Sequence, residues 1–226
     1  MQITLDPDLI DDTATIDLLT EARSAWSQVF QGMAPLGDWL QARIADLVRG
    51  WIGADWCISH GQVFDPTNRD RQTRSWDLVI HRRVPNDLGL PPPATPDGPW
   101  VLIPRGMCAA AIDTKGRYDT PRIYAQSVAF NDMNNSTTPQ LDLLLPDVKP
   151  ALFILATTRD PVAVMAEGDK YGLPTFVLIR ATDHKGDRGT VSVTWKASRT
   201  AACTLPLDDF QSYITAAVRS WHARNP

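Results

Sequence analysis

The strongest constraint on the fold is the stretch 107–116, an uncharged run that ends in an acid, a spacer and a lysine. Its first six residues are small or apolar, and Pro104 and Gly116 bound it, which predicts a buried central strand. Because side chains alternate across a strand, Asp113 and Lys115 should point to the same face. Unpaired charge near a core is costly, so the pair indicates either a salt bridge at a strand end or a metal site with a catalytic lysine. The triplet alone favours the salt bridge.

The composition is that of one large domain with a substantial hydrophobic core. The chain has 226 residues, 43% of them hydrophobic, and a formal net charge of −4. We therefore predict a single domain over residues 1–226, and any contact with nucleic acid must come from a local basic patch. The N-terminus has neither a basic start nor a long apolar run, so we expect no signal peptide and no membrane partner. Three widely spaced cysteines without zinc-ligand spacing fit a reducing, cytoplasmic location: Cys57, Cys108 and Cys203.

Hydrophobic periodicity predicts a mixed α/β domain, with a central sheet flanked by helices. Besides the stretch 107–116, the predicted strands are 55–65, 76–81, 100–103, 151–156, and a hairpin of 175–179 and 190–195 around the charged turn 183–189. The predicted helices are 8–31, 37–53, 121–131, 160–172 and a last one that Asp208 and Asp209 cap and that runs to Trp221. Loops are predicted for 84–99, which is rich in proline and glycine, and for 132–150.

Two acidic residues occupy complementary positions on predicted strands. Asp77 begins one strand and Asp113 ends another, 36 residues later. If these strands are antiparallel neighbours, Asp77, Asp113 and Lys115 meet at one edge of the sheet. Two carboxylates so placed repel each other unless a cation lies between them, and Mg²⁺ is a hard cation that is often held by one or two carboxylates. The pattern therefore predicts a metal site with Asp77 and Asp113 as ligands. Lys115 would orient or activate the attacking water or stabilise developing negative charge.

These residues, placed after a helix and a strand, resemble the signature of the PD-(D/E)XK nuclease superfamily. A longer match resembles the NucC-like branch of bacterial antiviral effector nucleases, with order and approximate spacing that agree over roughly residues 35–130. The matching runs are Gly61-Gln62-Val63-Phe64-Asp65, Trp76-Asp77-Leu78-Val79-Ile80, Leu102-Ile103-Pro104, Ala110-Ala111-Ile112-Asp113-Thr114-Lys115 and Tyr124-Ala125-Gln126.

The resemblance implies a fold, an activity and partners. It implies a restriction-endonuclease-like α/β core over about residues 35–180, and a DNA endonuclease that cuts double-stranded DNA with Mg²⁺, for which Mn²⁺ can substitute. It also implies a homo-oligomer, trimeric or hexameric, and activation by a cyclic oligonucleotide such as a cyclic oligoadenylate. The catalytic set would be Asp77, Asp113 and Lys115, together with Gln126. Gln126 is otherwise an exposed polar residue of the following helix.

The chain departs from the NucC-like pattern at three places. Asp113 stands where those members usually have Glu, although both occur in the superfamily. The early helix commonly supplies a Glu near the metal, whereas here the closest position is Gln41, with Asp38 as a stand-in. The basic residue that such effectors carry before the first strand, near their messenger pocket, has no match around Asp55 and Trp56.

Arginines surround Asp77 in the sequence. Such a stretch is usually a solvated basic surface, but beside a nuclease site guanidinium groups contact phosphates and set the register of the DNA. Asp65 is interpreted as a turn acid rather than a ligand, and the four histidines, which show no ligand spacing, as structural. The predicted DNA contacts are Arg71, Arg74, Arg82, Arg83 and Arg117.

Two other functions compete with the antiviral DNA endonuclease. One is a catalytically silent relative that senses a ligand or joins a complex, which the missing early Glu and the acidic net charge favour. The other is a nuclease for RNA or a sequence-specific restriction enzyme. A measurement of metal binding at the two aspartates distinguishes the silent relative from the nucleases. A comparison of DNA with RNA as substrate, and of the ends of the products, distinguishes the nucleases from one another.

Overall fold

The computed structural model of the protein describes residues 34–83, 101–123, 146–185, 191–196 and 206–225, with the further positions 17, 18, 20–22, 125, 141 and 144. Its helices are α1 (Ala34–Trp51), α2 (Pro161–Lys170) and α3 (Pro206–Arg224). The strands are β1 (Trp56–Asp65), β2 (Asn68–Gln72), β3 (Trp76–Arg82), β4 (Val101–Pro104), β5 (Cys108–Arg117), β6 (Lys149–Thr157), β7 (Thr175–Lys185) and β8 (Val191–Lys196). A short 3-10 turn, Arg105–Met107, leads from β4 into β5.

All eight strands join one mixed sheet in the order β2-β1-β3-β5-β6-β7-β8, and β4 pairs in parallel with β1. The strands β1, β3 and β5 are antiparallel neighbours, whereas β5, β6 and β7 run parallel. Helices cover the sheet, so the predicted architecture of a mixed central sheet flanked by helices is confirmed.

The stretch that dominates the sequence is the buried central strand that its composition predicts. Residues 108–112 of β5 are fully buried, because both faces of this strand are covered. Ala110 and Ile112 pack into the core beneath α1 and α3, while Cys108 and Ala111 belong to the core on the opposite face. Uncharged side chains are therefore required on both faces until the strand reaches its carboxyl end.

Helices α1 and α3 form the layer on one face of the sheet. Leu40, Ile44 and Val48 recur every four residues along α1 and are fully buried, which is the spacing that places side chains on one helix face. Phe210 of α3 is the aromatic centre of this core. Its ring centroid lies 5.0 Å from that of Phe153 and 5.1 Å from that of Phe176, and further aromatic contact comes from Trp51.

Several predicted boundaries are wrong because backbone pairing is invisible to hydrophobic periodicity. The polar stretch before β3 contains a strand, β2, which pairs antiparallel with β1. Strand β7 continues past Ile179 to Lys185 because its polar end pairs with β8, so the hairpin turn is shorter than predicted. A polar strand of this kind is held by main-chain hydrogen bonds rather than by buried side chains.

Helix positions differ as well. Helix α1 begins at Ala34, three residues before the predicted start, and α3 begins at Pro206, so Asp208 and Asp209 lie in its first turn instead of capping it. Leu141 and Leu144 are helical and buried within a stretch predicted as loop. The predicted helices 8–31 and 121–131 are described in part, at positions 17, 18 and 20–22 and at 121–123 and 125, which are all helical. The predicted loop 84–99 lies outside the described residues.

Among the helices that the structure describes, none combines the length and the apolar character needed to cross a membrane.

Gly61 should be intolerant of a side chain, whereas Gly37 should not. A Cβ at Gly61 would overlap the carbonyl oxygen of Val101 in the paired strand β4, while a Cβ at Gly37 in α1 meets nothing within 4 Å. We expect Gly61→Ala to lower the free energy of unfolding by about 1–3 kcal/mol and Gly37→Ala to raise it by up to about 1 kcal/mol through helix propensity. Urea unfolding followed by tryptophan fluorescence measures both. Equal stability of the two variants would contradict the β1–β4 pairing.

Candidate active site

The two predicted metal ligands lie side by side on β3 and β5. These strands pair with Leu78 opposite Ile112, so Asp77 lies opposite Asp113 one residue further along. Side chains directly opposite each other in an antiparallel pair share a face and lie close together. The condition on which the sequence prediction depended, that the strands are antiparallel neighbours, is therefore met.

Thr114, which separates the acid from the lysine, orients the first carboxylate. Asp77 Oδ2 accepts a hydrogen bond from the backbone nitrogen of Thr114 at 2.8 Å and another from its Oγ1 at 3.0 Å. The sequence analysis assigned Thr114 no role beyond that of a spacer. A hydroxyl group next to the acid indicates a hydrogen-bond donor, but its partner Asp77 is 37 residues away in the sequence and only strand pairing brings the two together.

Lys115 joins both carboxylates at the same face of the sheet. Its Nζ lies 2.9 Å from Asp113 Oδ2 and 4.0 Å from Asp77 Oδ2, and it also donates to the backbone oxygen of Thr114 at 3.1 Å. The predicted common orientation of Asp113 and Lys115 is thus observed. Both a salt bridge and a metal site would place Lys115 in this geometry. The ion pair between Lys115 and Asp113 is therefore compatible with a metal at the two carboxylates.

A second cation contacts the same oxygen of Asp113. The guanidinium Nη2 of Arg74 lies 2.7 Å from Asp113 Oδ2, and this side chain also lies over the ring of Trp76, 5.9 Å from its centroid. Arg74 sits in the short segment between β2 and β3. The sequence placed it among general DNA contacts, whereas the structure places it within the carboxylate cluster.

The pKa values of the two carboxylates are shifted in opposite directions. Burial raises the pKa of Asp113 to about 7, and the nearby Asp77 adds to the shift although Lys115 opposes it. Burial also acts to raise the pKa of Asp77, but its hydrogen bonds with Asp113 and Thr114 and the charge of Lys115 outweigh this effect and leave the pKa below its usual value. One proton shared between neighbouring carboxylates is what like charges in a buried site produce.

Beneath Asp77 a chain of polar side chains holds the strand. Gln41 of α1 donates from Nε2 to the backbone oxygen of Asp77 at 2.7 Å and lies 3.3 Å from Nδ1 of His60. The carbonyl oxygen of Asp77 can only accept a hydrogen bond, so the Gln41 atom that contacts it must be the amide nitrogen. The same nitrogen donates to His60 Nδ1, which is therefore an acceptor. His60 Nε2 then donates to Ser75 Oγ at 2.7 Å. Gln41 therefore supports the site through the backbone, at the position where the NucC-like pattern has Glu.

No third ligand joins the two aspartates in the part of the chain that the structure describes, which contains no group of three acidic, histidine or cysteine side chains able to hold a metal. Asp38, the proposed stand-in for the early Glu, is exposed on α1 and does not join them. Asp65 is a turn acid, as predicted, because its Oδ1 accepts hydrogen bonds from the backbone nitrogen and the hydroxyl of Thr67 at 2.9 and 2.6 Å.

The predicted DNA-contacting arginines do not form one patch. Arg71 is exposed on β2, 3.9 Å from Asp65. Arg82 and Arg83 lie at the far end of β3, five and six residues from Asp77, which corresponds to about 17–20 Å along an extended strand. Arg82 and Arg83 are therefore separated from Asp77 along the chain, and the contact of these arginines with DNA stays a prediction. The side chain of Arg117 and the whole of Gln126 lie outside the described residues.

The far end of β3 instead forms a second feature, an arginine that packs against a pair of indole rings whose centroids are 5.2 Å apart. Arg82 lies 5.6 Å from the ring centroid of Trp56 and 5.7 Å from that of Trp221, and its Nη1 is 3.6 Å from Asp55 Oδ2. Trp56 and Arg82 are cross-strand partners in the β1–β3 ladder, so β3 places this guanidinium beside the start of β1. The adjoining cavity measures about 550 Å³ and is lined by Ala54, Asp55, Cys57, Arg82, Arg83, Met107 and Trp221.

Without metal, the stability of the protein should fall as pH rises through neutrality. The pKa of Asp113 rises from 3.8 to about 7 on folding, so the folded state binds the proton more tightly. The resulting stabilisation is complete below the lower pKa and is lost as pH rises through the higher one. Asp113→Asn cannot ionise and should flatten this dependence, measured by urea unfolding in EDTA between about pH 5 and pH 8. An equally steep dependence in the variant would contradict the assignment.

By sequence, the chain matches no protein-family model and no curated protein. By structure, it is similar to NucC of P. aeruginosa ATCC27853 in its cAAA-bound form, with a TM-score of 0.54, 12% identity and coverage of 93% of this chain and 94% of that one. It is also similar to cAAA-bound NucC of E. coli MS115-1, with a TM-score of 0.53, 9% identity and 95% coverage of both chains. The predicted NucC-like, restriction-endonuclease-like α/β fold is thereby confirmed, and at these identities the likeness establishes the fold alone.

Proposed function

We propose that this protein is a metal-dependent endonuclease that hydrolyses phosphodiester bonds in double-stranded DNA, and that it acts as an effector of antiviral defence. The observation that carries the proposal is the convergence of Asp77, Asp113 and Lys115 at one edge of a NucC-like sheet. Neither the fold nor the sheet requires two acids to be buried together, because their repulsion opposes folding. A function that uses the pair explains their proximity.

The residues present fit Mg²⁺, with Mn²⁺ as a substitute. Asp77 and Asp113 offer hard oxygen ligands, and Mg²⁺ is commonly held by one or two carboxylates together with waters and a substrate phosphate. Burial and the neighbouring Asp77 raise the pKa of Asp113, and a divalent ion at this carboxylate would favour its ionised form. When bound, the metal would polarise a phosphoryl oxygen and lower the pKa of a coordinated water.

The side chains of this chain have separate tasks in hydrolysis. Thr114 holds Asp77 in position through two hydrogen bonds, both of which go to Oδ2 of the carboxylate. Lys115, between the carboxylates, orients the attacking water and stabilises negative charge that develops on the phosphate. Gln126 of the following helix would complete the catalytic set. Arg71 and Arg117 would contact backbone phosphates, which suits cleavage without a defined sequence.

We further propose that a cyclic oligoadenylate activates the enzyme by binding at the cavity beside Arg82. The NucC structures that resemble this chain are cAAA-bound forms. In this chain the cavity combines two arginines, Arg82 and Arg83, with the indole of Trp221. Guanidinium groups bind phosphates and aromatic rings stack on bases, so the lining offers the chemistry that such a ligand requires. Assembly into a homotrimer or hexamer belongs to the same proposal.

A catalytically silent sensor remains the second proposal, and one observation favours it. The described residues hold only two acidic ligands, and Gln41 replaces an anionic group with an amide that is already bonded to the backbone. A silent protein would retain the cavity and bind the cyclic nucleotide but would not bind Mg²⁺ at Asp77 and Asp113.

Plasmid cleavage should require Mg²⁺, the cyclic nucleotide and Lys115. Lys115→Ala removes the ammonium group between the two carboxylates and should reduce the cleavage rate by about a hundredfold or more. The assay incubates plasmid DNA and a matched RNA with purified protein, Mg²⁺ and a panel of cyclic oligonucleotides.

Lys170→Ala provides the matched control, because Lys170 is exposed on α2 and lies outside the proposed machinery. It should cleave at the rate of the wild-type protein. No cleavage by wild-type protein with any activator, together with no Mg²⁺ binding by calorimetry, would favour the silent sensor. Cleavage without an activator would support the nuclease function and contradict activation by a cyclic nucleotide.

Arg82→Ala should weaken the binding of the cyclic nucleotide without changing metal binding at the two aspartates. Loss of the guanidinium group removes a charged phosphate contact, so we expect at least a tenfold weaker affinity for cAAA. Calorimetry with cAAA measures this affinity, and Mg²⁺ binding should not change because Arg82 is five residues along β3 from Asp77. Arg219→Ala on α3 is the matched arginine control. Unchanged affinity in Arg82→Ala would place the messenger elsewhere.

A further inference from the structure

Arg74 and Lys115 compete for one carboxylate oxygen. Asp113 Oδ2 lies 2.7 Å from Arg74 Nη2 and 2.9 Å from Lys115 Nζ. A divalent ion that binds Asp113 takes up space and charge at this group, and it repels both cations. At least one of them must then move away from the carboxylate.

The surroundings indicate that Arg74 is the side chain that moves. Lys115 keeps two other oxygen partners, the backbone oxygen of Thr114 at 3.1 Å and Asp77 Oδ2 at 4.0 Å. The backbone around Arg74 is anchored, because Thr73 donates from its nitrogen to Val63 and from its hydroxyl to the carbonyl oxygen of Arg74. The side chain of Arg74 is 27% exposed and that of Lys115 31%, against 5% for that of Asp113, so both cations lie partly in solvent and can move away from the carboxylate.

The charges of the cluster support the same assignment. With both aspartates ionised, two carboxylates and two basic groups sum to zero, so a bound Mg²⁺ would bring the site to +2. The substrate phosphodiester carries one negative charge, and attack by hydroxide adds a second one in the transition state. The guanidinium of Arg74 is therefore needed to balance the transition state, whereas in the resting protein it balances Asp113.

We propose that Arg74 is a catalytic residue, which leaves Asp113 when the metal binds and contacts the scissile phosphate in the transition state. This inference rests on the proposed nuclease function. Many phosphoryl-transfer sites use two metal ions about 3.5–4 Å apart, which need more ligands than two carboxylates. Since the described residues offer only two such ligands, a guanidinium provides the second positive charge.

The step that Arg74 assists is ordinary hydrolysis. A water oxygen forms a bond to phosphorus and gives up a proton to solvent, while one ester bond from phosphorus to oxygen breaks with its electron pair. The leaving oxygen takes a proton from solvent, so atoms and charge balance. Two parallel N–H donors of a guanidinium match two oxygens of the phosphate, a geometry that lysine does not reproduce.

The test compares Arg74→Gln and Arg74→Lys with the control Arg49→Gln, an exposed arginine at the end of α1. Calorimetry at about pH 8 measures Mn²⁺ affinity without DNA, and single-turnover cleavage measures the chemical step. Arg74→Gln removes a competing cation, so we expect Mn²⁺ to bind about threefold to tenfold more tightly while the cleavage rate falls by about a hundredfold to a thousandfold. Arg74→Lys should recover only part of the rate, and the control should match wild type in both measurements.

Opposite changes in metal affinity and cleavage rate are the signature of the proposed role. Weaker Mn²⁺ binding together with a lower melting temperature would overturn it in favour of a structural ion pair. A higher KM and a shallower salt dependence at an unchanged cleavage rate would overturn it in favour of a simple phosphate contact. Normal cleavage by Arg74→Gln overturns the inference alone, whereas a wild-type protein that never cuts DNA overturns the proposed function and this inference together.

Discussion

The pairing of β3 with β5 is the constraint on which the rest of the molecule depends. It sets Asp77 opposite Asp113 at an edge of the sheet where both side chains are largely withdrawn from water. Two negative charges so close together destabilise the fold unless protons or cations compensate them. Lys115, Arg74 and Thr114 each provide a compensating contact. The contact of Lys115 with Asp113 lies within β5, whereas those of Arg74 with Asp113 and of Thr114 with Asp77 form only when the register of the two strands is correct. A slip of β3 by one residue would turn Asp77 to the opposite face.

The same two strands connect the carboxylate cluster with the arginine cavity. Strand β3 carries Asp77 near its start and Arg82 at its end, and β5 follows directly on Met107, which lines the cavity. Trp221 of α3 is bound to this region by a hydrogen bond from Nε1 to the backbone oxygen of Gly106 at 2.9 Å. A ligand that changes the packing of Arg82 against Trp56 and Trp221 would therefore act on strands that also carry the two aspartates.

Much of the central sheet could be predicted because its strands are buried on both faces. The continuous apolar runs of β5 and β6 predict burial on both faces. The spacing of Leu40, Ile44 and Val48 predicts the single buried face of α1. Strand β2 and the end of β7 were missed because their polar sequences carry no such signal, whereas their pairing with β1 and β8 is made by the main chain. The support of Asp77 by Gln41 was also beyond the sequence, because an amide that donates to a distant backbone oxygen leaves no pattern.

The sequence by itself determined the buried strand 108–112, the shared face of Asp113 and Lys115, and the complementary positions of the two aspartates on their strands. Alternation along a strand is a local property, so these features follow from residue order alone. Only the tertiary structure decided that Arg74 lies on Asp113 while Arg82, eight residues later, packs against Trp56 and Trp221 at a separate cavity. The physical reason is that a strand carries its residues about 3.3 Å apart per position, so arginines that flank Asp77 in the sequence are distributed between two distinct environments.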